Sequence, residues 1–414
     1  MGVRLSRFVL YVASVALAAL ATGVQIVVLP WLAVGELQLP ANQVGWVQSA
    51  VLLPGLLLML MGGALADRAH TSGVLPWLYV LMTACHGAML WVLSEGALQL
   101  MLLLFYALLL GVINAFLQPL RDKLLPDVME EHSSLQSSVV KVSLGIYVAQ
   151  AVGVSLAGQI EWLGLEAVMA VQVLVLSLCV VLLVAMYRLR PLPSLVDQEE
   201  VRERSAINIR KGLLFVRNHP VLKHLMILVG FNGFMHIGVF VVALPLLSRD
   251  VFQQDAFAFA GLQLAFVAGN VVAALALLRR GPVAQPGRAV LFSLLYAGII
   301  MLAISAKPTE TGLFILVFAW GVVAGVSASL GKALLQQQVT DNFRGRVLSI
   351  YQLALFGGAP LGALVCGYAV QYQGALKLFE VGGEATLVLF IVYLGIRALW
   401  NISPVSESGP QSPR

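Results

Sequence analysis

The chain has 414 residues, of which 60% are hydrophobic and 11% charged; its mean hydropathy is +0.91 and its formal net charge +5. A soluble domain carries roughly 25% charged residues, so this composition excludes a water-soluble fold, and lipid must serve as solvent. Cys85, Cys179 and Cys366 are scattered through apolar runs; no pair has metal-ligand spacing, and a disulfide framework is not indicated.

Lipid admits only helices or closed barrels as spanning structures. Apolar runs of about 20 residues suit helices, because barrel strands are about half as long and alternate. Twelve such runs follow one another: 8–35, 43–66, 74–94, 97–119, 134–160, 165–187, 222–248, 257–278, 289–306, 311–335, 347–372 and 383–400. Several exceed the crossing length and are expected to tilt or extend past the bilayer. The first follows Arg4 and Arg7 as a signal peptide would. It is too long for an h-region and belongs to an internal repeat, so it reads as retained. Between the sixth and seventh runs lies the one long polar segment, 188–220. Its later part, 209–217, sets apolar and basic residues at helical spacing and reads either as a short amphipathic helix or as a solvated tether. The tail from Ser403 is rich in Ser, Pro and Gly and is expected to be disordered. The expected organisation is an N-terminal six-helix half (1–187), a linker (188–220), a C-terminal six-helix half (221–402) and a tail (403–414).

The halves echo one another. Gly23-Val24-Gln25-Ile26-Val27-Val28-Leu29-Pro30 returns 215 positions later as Gly238-Val239-Phe240-Val241-Val242-Ala243-Leu244-Pro245. Residues 111–158, opening Gly111-Val112, parallel residues 321–367, opening Gly321-Val322. Parallel repeats of this kind put a substrate site between the halves, near the bilayer midplane. Twelve spans leave both termini on one side. Of the 25 Lys and Arg residues only Arg249, Lys307 and Lys377 fall on the other, so the termini are expected in the cytoplasm. The net positive charge therefore reports topology and no affinity for nucleic acid.

Gly63-Ala64-Leu65-Ala66-Asp67-Arg68, between the second and third runs, resembles the cytoplasmic gating motif of the major facilitator superfamily. The family pattern continues with Gly and basic residues, where this chain has Ala69-His70-Thr71-Ser72. The matching loop of the second half, Arg279-Arg280-Gly281-Pro282, keeps positive charge without an Asp. Three further stretches resemble the branch that includes the enterobactin exporter and macrolide efflux proteins. They are Ala115-Phe116-Leu117-Gln118-Pro119-Leu120-Arg121 with Leu125-Pro126, Arg217-Asn218-His219-Pro220-Val221-Leu222, and Arg344-Gly345-Arg346-Val347-Leu348-Ser349 leading to Ala359-Pro360-Leu361-Gly362. Helix 5 reads Gly153-Val154 where drug antiporters of the family often carry Gly-Pro. The resemblance implies a bundle of two pseudo-symmetric six-helix halves working by alternating access, with helices 1, 2, 4, 5, 7, 8, 10 and 11 lining a cavity. It also implies gating roles for Asp67 and Arg68.

Ionisable residues at membrane depth are functional hypotheses by default. All twenty Asp and Glu fall in loops, in the tail or near run ends. Lys141 lies within run 5, on a stripe with Gly145, Ala149, Gly153 and Ala157; it either faces the bundle, favouring an anionic substrate group, or snorkels to the headgroups. His236, one turn from Asn232, either carries a coupling proton or is a neutral hydrogen-bonded histidine. The remaining candidate cavity residues are Gln25, Asn114, Gln118, Tyr147, Gln150, Asn232, Gln263, Asn270, Tyr351 and Gln352, a lining of amides and phenols. Arg121, with Asp122 beside it, and Lys332 occupy corresponding ends of runs 4 and 10. Gating and positive-inside placement account for them equally well.

The expected function is a secondary transporter of the inner membrane exporting a siderophore or similar small polar or anionic metabolite. Protons are the candidate coupling ion, the chain acts as a monomer, and no cofactor or metal is required. A multidrug or macrolide antiporter is the alternative within the class, and a transporter-like sensor or assembly partner the alternative outside it. An enzyme is not expected, since no metal-ligand spacing, nucleophile–base pair or buried acid pair is found. No phosphate-binding loop appears, so ATP is not the direct energy source.

Overall fold

The computed structural model describes residues 7–68, 71–128, 135–189, 213–281, 283–339 and 341–400. At helical positions 59–68, 71–73, 122–123, 126–127, 135–141, 189, 336 and 341–346 the backbone alone is described. Most of the linker and the tail from Ser403 lie outside these residues.

Every regular element among the described residues is helical. In chain order the long helices are α1 (Arg7–Glu36), α2 (Ala41–Arg68), α3 (Thr71–Ser94), α4 (Leu100–Val128), α5 (Leu135–Ala157), α6 (Leu165–Leu189), α7 (Pro220–Asp250), α8 (Ala256–Arg280), α9 (Pro286–Ser305), α10 (Glu310–Gln337), α11 (Asp341–Gln373) and α12 (Ala375–Ile396). Residues 213–218 form a short helix ahead of α7, with Val216 buried and Leu213 and Leu214 exposed. Ten helices among the described residues are long and apolar enough to cross a membrane. The other two long helices are α2 and α5, both of which extend into positions where only backbone is described. Large apolar side chains stand on the surface, with Trp162 89% and Leu278 78% exposed. An apolar exterior of this extent is stable against acyl chains and not against water.

Local chemistry sets the helix ends. Pro220 and Pro286 open α7 and α9, where a missing N–H is harmless. His219 caps α7 by accepting from Leu222 N at 3.4 Å. Burial holds its imidazole below the ordinary range, which keeps that ring nitrogen free to accept. Thr309 caps α10 through Gly312 N at 3.2 Å. Gly374, at φ +85°, closes α11 by donating to the Val370 carbonyl. The repeated prolines, Pro30 and Pro245, each sit beside π-helical turns, at Leu32–Glu36 and Val239–Ala243. A proline leaves the carbonyl four residues earlier without its helical donor, and wider turns absorb the defect.

Two compact units are formed. The first comprises Met1–Arg202, Gly233–Leu264 and Phe356–Ala375; the second comprises Glu203–Asn232, Ala265–Leu355 and Leu376–Arg414. In the first unit α1 packs on α5 and α6, α2 on α4, and α3 on α4 and α6. In the second, α9 packs on α10, and a buried cluster that includes Leu222, Leu225, Leu291, Leu334 and Tyr351 forms its core.

Apolar side chains gain nothing by leaving lipid for a neighbouring helix, so association rests on close backbone approach. A Cβ on Gly153 of α5 would collide with the Leu20 carbonyl of α1, and one on Gly23 with the Gln150 carbonyl. The repeat does the same: a Cβ on Gly362 of α11 would collide with the Phe234 carbonyl of α7, and one on Gly238 would lie 2.7 Å from the Gly362 carbonyl carbon. Gly111 of α4 lies on the Val51 carbonyl of α2, and Gly321 of α10 on the Phe266 carbonyl of α8. Val51 and Phe266 stand 215 positions apart, as Gly23 and Gly238 do. The repeat thus preserves backbone contacts as well as letters.

Gly153→Leu is expected to separate α1 from α5 and destabilise the protein by roughly 1–3 kcal/mol. Gly87→Ala, where a Cβ meets nothing within 4 Å, should be neutral within about 0.5 kcal/mol. Thermal melts of the detergent-solubilised variants check both; equal melting would show that the α1–α5 approach carries no stability.

Candidate functional site

Inside the first unit, polar side chains from four helices meet: Gln25 (α1), His86 (α3), Tyr106 (α4) and Gln172 (α6). The Tyr106 hydroxyl donates to Gln25 Oε1 at 3.0 Å and lies 3.3 Å from His86 Nδ1. Gln172 Nε2 donates to the same Gln25 oxygen at 3.1 Å and to the Ala21 carbonyl at 2.9 Å. A phenol has one proton, and here it is used on Gln25. Nδ1–H of His86 must therefore donate to the Tyr106 oxygen, which leaves His86 Nε2 as a bare acceptor. Gln25 Nε2, Gln172 Oε1 and His86 Nε2 are buried without a hydrogen-bond partner. Three unsatisfied groups in one cluster are uncommon in a native interior.

The other expected cavity residues are distributed more widely. Asn114 and Gln118 of α4 are exposed. At 100° per residue they lie across the helix from exposed Met101, Phe105 and Leu108. α4 thus presents an apolar face and a separate polar one. Asn114 Nδ2 donates to the Leu110 carbonyl at 2.9 Å, and Asn270 Nδ2 to the Phe266 carbonyl at 3.0 Å. Each amide oxygen is left to accept. Tyr147 is exposed on the α5 face that carries Leu144 and Val148; Gln150, Asn232 and Gln352 are half-buried.

His236 and Gln263 are buried, and Tyr351 belongs to the core of the second unit, its hydroxyl beside Gly331. Asn232 and His236 fall in a π-helical stretch, Asn232–Ile237. Lys332 is exposed. The Arg121 carbonyl accepts from Tyr11 Oη at 3.1 Å, tying α4 to α1. The side chains of Asp67, Arg68, Asp122 and Lys141 lie outside the described residues. Among the described residues no Asp or Glu is buried, whereas His86 and His236 are.

At the end of the first unit remote from the N-terminus, helices approach one another closely. A Cβ on Gly45 of α2 would lie 2.7 Å from the Ala363 carbonyl of α11, and one on Gly367 would lie 2.8 Å from the Ala41 carbonyl. Gly158, just past α5, meets Ala260 of α8. Arg249, near the end of α7, reaches into the α1–α2 connection. Its Nη1 donates to the Val34 carbonyl at 3.1 Å and the Leu39 carbonyl at 3.2 Å, while Asp250 holds its other edge. Sequence reading treats Arg249 only as a topology marker. Its role depends on two carbonyls that no pattern of side chains announces.

Residues 11–363 match the family model of the Major Facilitator Superfamily, and the chain belongs to that family. It is a multi-pass membrane protein and a secondary transporter, not an enzyme. It is 25% identical over 359 residues to the staphyloferrin A transporter of Staphylococcus aureus (strain NCTC 8325 / PS 47), covering 85% of this chain and 87% of that one. It is also 25% identical over 368 residues to an uncharacterized MFS-type transporter, y4rN, of Sinorhizobium fredii (strain NBRC 101917 / NGR234), covering 85% of each. Among solved structures the nucleoside transporter NupG superimposes with a TM-score of 0.74 at 11% identity, covering 96% of this chain and 100% of that one. The last comparison speaks to the fold alone.

Tyr106→Phe is expected to leave His86 Nδ1–H and Gln25 without their shared partner. A hydrogen bond between membrane helices contributes ~0.6 kcal/mol on average, but a stranded buried donor raises the loss to roughly 1–3 kcal/mol. The melting temperature should fall relative to Tyr368→Phe, a change at an exposed tyrosine. Identical melting would remove the cluster from the set of contacts that hold the four helices together.

Proposed function

We propose that the chain is an inner-membrane exporter of a siderophore or similar small polar or anionic metabolite, with both termini in the cytoplasm. The single observation that carries the substrate class is the likeness to the staphyloferrin A transporter over most of both chains. Two features of the chain support it. No buried carboxylate is present among the described residues to neutralise a cationic drug, and the polar groups offered to a guest are amides, phenols and imidazoles. Lys141, within α5, would add the positive charge an anionic substrate needs.

Transport proceeds by alternating access, the halves 1–187 and 221–402 rocking against one another about the substrate. With the termini in the cytoplasm, the closed end at Gly45, Gly158 and Arg249 is the extracellular gate. Arg249 belongs to the second half and its two carbonyl partners to the first, so these bonds must break each time that gate opens. Asp67, Arg68, Arg121, Asp122 and Lys332 are assigned to the cytoplasmic gate. His236, and not a carboxylate, is the candidate proton carrier.

Reconstitution into liposomes with an internal pH dye tests the reading. An iron-free carboxylate or catecholate chelator should move with an imposed pH gradient, and Lys141→Ala should abolish that movement while inserting normally. Movement of macrolides instead, or unaltered chelator transport by Lys141→Ala, would overturn the substrate class or the role of the lysine respectively.

Arg249→Ala should shift the population toward an extracellularly open state. In a cysteine-free background carrying Ala41→Cys, labelling from outside by an impermeant maleimide should rise several-fold, as expected when ~1–3 kcal/mol of closing contacts are lost. Unchanged labelling would mean that Arg249 does not fasten the gate.

A further inference from the structure

We propose that the groove formed by α8, α9 and α10 at the ends of α8 and α9 that flank their connection binds one anionic phospholipid, its phosphate held by Arg280 and Arg288. The groove encloses about 810 Å³, the size of a site for a drug-like molecule or for a headgroup with the first part of its chains. Its walls are apolar: Val272 and Ala276 from α8, Phe292 from α9, Val322, Val326 and Leu330 from α10. The polar lining is confined to Arg280, the last residue of α8, and to Gln285 and Arg288 at the start of α9.

Neither arginine forms an ion pair among the described residues. Arg288 is nonetheless held in place. Its Nε donates to the Trp400 carbonyl at 3.0 Å, and its guanidinium stacks over the Trp400 ring, 4.7 Å from the centroid. Both contacts use the Nε edge and the flat face, so the two amino groups at the far end remain available as donors. Phe292 packs on the same indole, with ring centroids 6.1 Å apart, and carries the apolar wall down from the charged end. A fixed guanidinium above an aromatic floor, with a second cation at the same mouth and no carboxylate among the described lining residues, is chemically complementary to a phosphate monoanion.

The apolar wall distinguishes a lipid from a free anion. Val272 and Phe292 are 46% and 39% exposed in the groove and on its rim, and only acyl chains cover such surface at membrane depth. Charge distinguishes one lipid class from another. An ethanolamine or choline headgroup would bring an ammonium group to a mouth that already holds two cations, whereas a glycerol headgroup brings none. Basic pockets between membrane helices bind anionic headgroups on this physical ground.

Native mass spectrometry of the delipidated full-length protein tests the proposal, with phosphatidylglycerol, phosphatidylethanolamine and phosphatidylcholine of matched chains as probes. Wild type should retain one phosphatidylglycerol more tightly than the other two. Arg280→Gln should weaken that binding about tenfold, the loss of one charge-assisted contact. This variant leaves the Arg288–Trp400 contact intact, so its melting temperature without lipid should match wild type. Ala276→Trp, which fills the groove without touching the charges, should weaken phosphatidylglycerol binding as well. Equal retention of the three lipids, or unaltered phosphatidylglycerol binding by a folded Arg280→Gln, would overturn the proposal. So would stabilisation of wild type by inorganic phosphate that equals stabilisation by phosphatidylglycerol and survives Ala276→Trp, because the site would then take an anion alone.

Discussion

The fold depends on one constraint: in lipid, helices have no hydrophobic reason to touch. Backbone hydrogen bonds are completed within each helix, and an apolar side chain is as well solvated by acyl chains as by a neighbour. What remains is van der Waals contact at short range, supplemented by a few buried hydrogen bonds. Gly153 on the Leu20 carbonyl and Gly111 on the Val51 carbonyl meet this requirement in the first half of the sequence. Gly362 on the Phe234 carbonyl and Gly321 on the Phe266 carbonyl meet it in the second. A larger residue at any of the four would force backbones apart, and dispersion falls off steeply with such a gap.

The same constraint gives the few polar side chains disproportionate weight. Gln25, His86, Tyr106 and Gln172 join four helices through hydrogen bonds that have no competing water. The cluster stiffens the bundle and at the same time leaves unsatisfied groups. The exposed amides of Asn114 and Gln118 belong to the accessible surface, while the His86 cluster lies beneath it.

Closure at the remote end uses a different economy of contacts. Gly45 and Gly367 let α2 and α11 meet backbone to backbone, and Arg249 adds a charged donor to the Val34 carbonyl in the last turn of α1 and to the Leu39 carbonyl of the α1–α2 connection. The last carbonyls of a helix have no donor within it, so they are natural partners for a guanidinium.

Composition and repetition carried much of the outcome. Charge content at under half the soluble norm, with runs matched to bilayer thickness, determined a helical membrane protein, since lipid permits few alternatives. The 215-residue echo and the gating-like motif led to the family, because they record a duplicated architecture directly in the letters. The stripe Gly145, Ala149, Gly153, Ala157 was legible for the same reason, as helical periodicity projects a face onto the sequence. Only the tertiary structure decided which polar residues meet. His86 and Gln172 lie in helices that the resemblance makes peripheral, yet His86 is linked to Gln25 through Tyr106 and Gln172 donates to Gln25 directly, across 147 residues. Tyr351 reads as a cavity phenol but sits within the core of the second unit. Arg249 reads as a topology marker but grips backbone oxygens, which have the same chemistry at every residue and leave no trace in a sequence. Periodicity says which face a residue occupies; what that face meets is settled by how the helices are brought together.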